Sequence, residues 1–227
     1  FGEWTVTTAP TAANAGEETR TCSVCGATET RELPALGYGD CYYEDFSDCV
    51  DAWYHEPVDF AVSNGLMNGV GNGKFDPNGT LTRAMVVTVL YRAAGSPEVA
   101  EASTFTDVAA DEWYSDAIAW AQAEGVVNGI SETEFAPTAE VTREQIAAIL
   151  YRYLGKPEAE ADLSVFVDAD DITAYAVEAM TWAVSADIFR GDDTGALLPT
   201  DNATRAQFAC IIMRFLGGYY ECINLAE

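Results

Sequence analysis

One series of landmarks occurs three times along this chain. Such repetition confines a sequence to folds in which each copy hides its apolar face against its neighbours. The copies open at Phe46-Ser47-Asp48, Phe105-Thr106-Asp107 and Phe166-Val167-Asp168. Each then reaches a turn that ends in proline: Phe75-Asp76-Pro77, Phe135-Ala136-Pro137 and Leu197-Leu198-Pro199. Each continues into a Thr-Arg pair, Thr82-Arg83, Thr142-Arg143 and Thr204-Arg205, spaced 60 and then 62 residues apart.

Within a copy the pattern predicts helix, loop, helix. In the second copy Trp113, Ala117, Ile118, Trp120 and Ala121 recur at helical spacing and predict one buried stripe, followed by Gly125 where a left-handed cap residue is wanted. The first copy offers Pro57, Val58, Phe60, Ala61 and Gly65 in the same places. The third has Met180, Trp182 and Ala183, but Asp187 replaces the glycine and marks a soft helix end. The second helix of each copy should start at Thr82, Thr142 or Thr204, whose hydroxyls can accept from an unpaired backbone N–H. Behind them run Met85, Val86, Val89 and Leu90, then Ile146, Ile149 and Leu150, then Phe208, Ile211, Ile212 and Phe215. These stripes are expected to pack together around a shared axis.

Composition narrows the function. With 49% hydrophobic and 21% charged residues the chain is expected to fold, and its 227 residues suffice for a sizeable core. No run approaches the roughly 20 apolar residues of a membrane helix, so membrane insertion is not expected. Acidic residues outnumber basic ones 37 to 11, for a net charge of −26, and no Lys/Arg cluster is present. Nucleic acid is therefore not an expected partner, because phosphates need a basic patch. There is no Gly-x-Ser-x-Gly elbow, His-Glu-x-x-His or phosphate loop, and His55 is the single histidine. An enzyme is not expected.

The repeated landmarks resemble the S-layer homology family over residues 40 to 219. The matching pieces are the opening Phe-x-Asp, the pairs Trp53-Tyr54 and Trp113-Tyr114, the turns Asn68-Gly69 and Asn128-Gly129, the Phe-x-Pro loops and the Thr-Arg pairs. The resemblance implies a mainly α fold: three tandem repeats (40–98, 99–159, 160–219) forming a pseudo-threefold spindle around a central three-helix bundle. A small β-rich segment (1–39) precedes them and a tail (220–227) follows. It also implies a secreted or cell-wall-associated monomer without cofactor or metal. The implied partner is secondary cell-wall polysaccharide, pyruvylated and so anionic, held in grooves between repeats.

Several residues could serve that ligand. Arg83, Arg143 and Arg205 lie just inside helix starts, where free N–H groups and a partial positive charge favour a carboxylate. Asp48, Asp107 and Asp168 could accept from sugar hydroxyls, Gly69 and Gly129 lie in the groove turns, and Trp53 and Trp113 could stack on a ring. Tryptophans at such spacing are nevertheless more often core, and the Thr and Arg residues have a purely structural reading as caps and ion-pairing groups. The sequence also departs from the family pattern. Met85, Gln145 and Gln207 stand for its glutamate, Ile172 and Tyr175 stand near the missing third Trp-Tyr pair, and Arg190-Gly191 stands for Asn-Gly. Grooves built from the first two copies are therefore preferred. The alternative is a protein-binding or host-adhesion module on the same scaffold.

The amino-terminal segment is separate. Trp4–Thr8 and Thr19–Cys22 read as short strands, and Thr21–Gly26 with Leu33–Gly37 resembles a stalk repeat of surface proteins from gut Clostridia. Opening on Phe1, the chain is expected to be cut through such a unit, with any signal peptide outside it. Cys22 and Cys25 suggest zinc, but Cys41 and Cys49 are too far apart for a second knuckle, so a disulfide or free thiols are preferred. Cys41 with Cys49, and Cys210 with Cys222, are the expected short-range pairs. Arg190-Gly191-Asp192 is read as turn chemistry, not adhesion. The acid clusters Asp168, Asp170, Asp171 and Asp192, Asp193 are read as solvated, not as calcium ligands.

Overall fold

The computed structural model describes residues 1–8, 16–33, 46–49 and 53–217. The chain is mainly α with a small β part. Three antiparallel strands, β1 (Thr5–Thr8), β2 (Gly16–Thr21) and β3 (Thr28–Leu33), form one sheet in the order β1-β2-β3. Among the described residues six α-helices follow: α1 (His55–Ser63), α2 (Arg83–Ala93), α3 (Ser115–Ala123), α4 (Arg143–Tyr153), α5 (Val177–Ser185) and α6 (Arg205–Phe215). Each copy thus holds a nine-residue helix, a loop and an eleven-residue helix.

The sequence signals account for these boundaries. Thr82, Thr142 and Thr204 are extended N-caps whose hydroxyls accept from the N–H of Met85, Gln145 and Gln207. In α4 and α6 the glutamine side chain also returns to the cap N–H and completes a capping box; Met85 leaves α2 without one. After the first helix of each copy, Gly65, Gly125 and Asp187 all have φ near +60°. The aspartate therefore bears the left-handed backbone that glycine adopts freely elsewhere, at a cost of order 1 kcal/mol. Arg190 Nε donates to Asp187 Oδ1 at 2.6 Å and braces that end.

The capped helices were expected to pack chiefly on one another, but their main partners differ. Helix α2 lies against α3 of the next copy, α4 against α5, and α6 returns to α1. The stripes are buried as expected, with Val86, Leu90, Ile146, Leu150, Phe208 and Ile212 fully enclosed. At the carboxy-terminal ends a chain of rings links the copies: Tyr91 to Trp120, Trp120 to Tyr153, Tyr153 to Phe215 and Phe215 to Trp182, with centroids 5.6–6.3 Å apart. At the amino-terminal ends the extended residues before each cap join in a ring. Leu81 N–H donates to Ala203 O, Ala203 N–H to Val141 O and Val141 N–H to Leu81 O, at 3.1–3.2 Å. Such closure needs all three copies at once.

The sheet has one more strand than the sequence suggested. β3 reads Thr-Glu-Thr-Arg-Glu-Leu and lacks the apolar alternation that marks a half-buried strand. Cross-strand charge pairs stand in for a core: Arg20 with Glu29 at 2.6 Å, and Arg31 with the buried Glu18. Both guanidiniums approach the Trp4 ring, with their central carbons 4.6 and 4.3 Å from its centroid.

Candidate functional site

Each loop between the two helices of a copy is gripped from both sides. Asp48 accepts from the N–H groups of Phe75 and Asp76, Asp107 from Phe135 and Ala136, and Asp168 from Leu197 and Leu198, all at 2.7–2.9 Å. The second residue of each pair (Asp76, Ala136, Leu198) has φ between +54° and +58°. Two charge-assisted bonds hold that unfavourable backbone in place. The glycine of the turn is equally constrained. A Cβ at Gly129 would lie 2.2 Å from Ser131 O and 2.7 Å from the Phe105 ring, and one at Gly69 would meet the Phe46 ring at 2.6 Å. The opening phenylalanine of each copy needs that glycine to seat itself.

The carbonyls of the same loop are gripped by the preceding copy. Arg83 Nε and Nη2 donate to Phe135 O and Asn128 O, at 2.9 and 3.0 Å. Arg205 does the same to Phe75 O and Asn68 O, at 2.8 and 2.6 Å. Arg143 Nε donates to Leu197 O at 2.8 Å. Arg83 and Arg205 also stack on the rings of Phe135 and Phe75. The third copy has Leu197 at that place, and Arg143 lies over Phe189 instead, 5.0 Å from its centroid. Burial holds all three guanidiniums below their ordinary pKa. They remain cations and offset the loss of water with these bonds.

The helix mouths are occupied as well. The N–H groups of Arg83 and Ala84 donate to Ala139 O and Pro137 O, those of Arg143 and Glu144 to Asp201 O and Pro199 O, and those of Arg205 and Ala206 to Gly79 O and Pro77 O. With the third N–H taken by the cap threonine, the donors expected to meet a carboxylate are already spent inside the protein. An anion approaching these clefts must be met by side chains. Arg83 and Arg205 each keep Nη1, which makes no hydrogen bond among the described residues.

Such side chains converge at the third copy. A cleft of about 460 Å³ is lined by Arg143 of copy two, Arg190, Asp192, Gln207 and Arg214 of copy three, and Trp53 of copy one. All three copies contribute: α6 packs on α1, and Trp53, just before α1, joins the lining. Three of the chain's eleven basic residues line this one cleft. Of this lining the sequence marks Arg143 and Trp53 as ligand candidates but not Arg190 or Arg214. A matched signal was available in Arg92, Arg152 and Arg214, each ten residues beyond its cap threonine. Arg92 and Arg214 donate through Nη1 to Leu66 O and Ile188 O, at 3.0 and 3.3 Å.

Trp53 and Trp113 are not core. They are 65% and 59% exposed and stand edge-on to Tyr54 and Tyr114, whereas Trp120 and Trp182 are buried. Trp113 precedes α3 instead of lying within it, so helical periodicity did not apply to it. Tyr175 takes the equivalent place before α5, and its hydroxyl donates to Glu144 Oε1 at 3.0 Å. Glu144 is only 4% exposed and also accepts from the N–H and hydroxyl of Thr173, which fixes this arm of copy three to α4.

The remaining motifs fall into place. Arg190-Gly191-Asp192 lies on the cleft wall, and Asp192 Oδ1 accepts from Thr194 and Ala196 as a turn residue does. Cys22, Cys25, Cys49 and Cys210 are free thiols, while Cys41 and Cys222 lie outside the described residues. His55 opens α1.

At Asp48 partial burial opposes ionisation, but the N–H groups of Phe75 and Asp76, its own N–H and the Lys74 charge prevail and hold the carboxyl below its ordinary value. A depressed folded pKa gives stability that is present above the unfolded value, about 3.9, and lost as pH falls through the folded one. The stability difference between wild type and Asp48→Asn, measured by urea unfolding, should be roughly 1.5–3 kcal/mol at pH 7. It should shrink steadily below about pH 4. A difference independent of pH would rule out the carboxylate clamp.

The S-layer homology domain model matches residues 43–84, 104–147 and 165–209. A 125 kDa surface-layer protein of Lysinibacillus sphaericus is 34% identical over 168 residues, 73% of this chain and 14% of that protein. An amylopullulanase of Thermoanaerobacterium thermosulfurigenes is 28% identical over 179 residues, 77% of this chain and 10% of the enzyme. The middle cell wall protein of Brevibacillus brevis is 31% identical over 110 residues, 47% of this chain and 10% of that protein. The chain therefore spans only 10–14% of the length of these relatives.

Proposed function

The chain belongs to the S-layer homology family, a cell-wall anchoring module, and from that membership we propose that it holds a larger surface protein to the wall by binding an anionic, pyruvylated polysaccharide. The observation that carries this reading is the cleft lined by Arg143, Arg190, Arg214 and Trp53 together with Asp192 and Asp193, with Arg190 paired to Asp187. A ketal carboxylate accepts from guanidinium N–H groups, and the sugar ring lies on the indole. Long-range attraction is weak in a chain of net charge −26. Screening limits surface fields to about 8–10 Å, so recessed cations govern contact even here.

The same reading supplies the larger arrangement. The closed ring before the caps and the linked aromatics at the far ends support a three-pronged spindle around α2, α4 and α6. The clefts of the first two copies are secondary sites: each pairs a clasping arginine (Arg205 or Arg83) with the aromatic of another copy (Trp113 or Tyr175). The module acts as a monomer, and the sheet of β1, β2 and β3 serves as a spacer beside it. The parent protein's own activity, if any, lies beyond this chain.

Co-sedimentation of the purified chain with cell walls tests the proposal. Walls retaining pyruvylated polysaccharide should bind at least about tenfold more tightly than walls stripped of pyruvate by mild acid, a difference of about 1.4 kcal/mol. Equal affinity for both preparations, or for neither, refutes it.

A further inference from the structure

The turn between β2 and β3 carries chemistry that wall binding does not use. We infer that Cys22 and Cys25 form a thiol–disulfide exchange site for small-molecule disulfides, with Cys22 as the attacking sulfur and Cys25 as the resolving one. The turn is closed by Cys22 N–H to Ala27 O at 2.8 Å and by Gly26 N–H to Cys22 O at 2.9 Å, with Gly26 at φ +73°. That backbone sets both side chains on the same loop, Cys22 half-exposed and Cys25 exposed. The backbone N–H groups of Cys25 and Val24 and the neighbouring Cys25 thiol favour the Cys22 thiolate and hold its thiol below the ordinary value. An attacking sulfur needs access, a stabilised thiolate and a second thiol within reach.

The other described cysteines have the opposite environment. Burial, with the Asp48 charge beside it, pushes the Cys49 thiol up to about 11. Burial also raises Cys210, against three nearby arginines. A thiol two units above its ordinary value has roughly a hundredfold less thiolate near neutral pH. Cys49 is therefore a built-in inert reference, and Cys210 is shifted in the same direction.

The exchange balances. Cys22 thiolate attacks one sulfur of the small disulfide, forms a mixed disulfide and expels one thiolate. Cys25 gives up its proton and attacks Cys22 sulfur, which expels the second thiolate. The two cysteines lose two electrons and two protons, and the small disulfide becomes two thiols. The product staples the β2–β3 turn.

The test treats the reduced 227-residue chain with oxidised glutathione and follows each cysteine by peptide mapping. Wild type should lose two hydrogens through a Cys22–Cys25 bond, roughly tenfold or more faster than Cys49 or Cys210 reacts. Cys25→Ser should instead trap one glutathione on Cys22, and Cys22→Ser should react several-fold more slowly at Cys25. A stable mixed disulfide in wild type, or equal rates for the two variants, overturns the assignment. Because wild type is read directly, a misfolded variant cannot rescue or sink the result alone.

Discussion

Replacing Arg205 with alanine should lower the unfolding free energy by about 3–5 kcal/mol, because it leaves two carbonyls of another copy without their charged donor. In a helical unit of this size that is a fall of about 10 °C in the melting temperature. Arg205 reaches Phe75 and Asn68, 130 and 137 residues back along the chain, and its guanidinium also covers the Phe75 ring. The residue is 7% exposed, so water cannot replace the lost bonds without opening the joint between copies three and one. Lysine should recover less than half of the loss, since a single ammonium cannot address both carbonyls and stack on the ring. Arg20→Ala, in the separate sheet, is the control and should leave the helical transition where it was. A change under about 1 kcal/mol for Arg205→Ala, the scale of an exposed ion pair, would show that the clasp does not close the ring.

The second large effect falls on binding alone. The double variant Trp53→Ala, Trp113→Ala should lose roughly a hundredfold in affinity for pyruvylated walls. Each ring–sugar contact is worth about 1.4 kcal/mol, or tenfold, and two clefts engaging one polymer multiply. Stability should fall by less than about 1 kcal/mol, because both rings are more than half exposed and lose only their edge contacts with Tyr54 and Tyr114. The separation matters, since substituting the clasping arginines would confuse binding with folding. Thermal unfolding and wall sedimentation on the same sample give both numbers. Unchanged affinity would remove the aromatics from the site and leave the arginines of the third-copy cleft as the whole of it.

Much of this molecule was legible in one dimension. The cap threonines, the left-handed Gly65, Gly125 and Asp187, the buried helix stripes and the three matched loops follow from preferences acting within one or two helical turns. The functional reading of single residues was less secure for the same reason. Asp48, Asp107 and Asp168 recur at the right spacing for ligand contacts, yet their oxygens are taken by loop N–H groups 27–30 residues away. The periodicity that marked Trp113 as core fails one residue before the N-cap of its helix, where the side chain turns outward.

The sequence by itself determined that three sibling helix–loop–helix copies exist, where the second helix of each begins, and to which family they belong. Tertiary structure alone decided what the arginines hold, how the helix mouths are filled and which side chains of different copies line one cleft. Local backbone preference is set by chemical neighbours along the chain. The partner of a buried guanidinium is set by whichever carbonyls another copy brings within 3 Å, and no pattern of spacing encodes on which side that copy will lie.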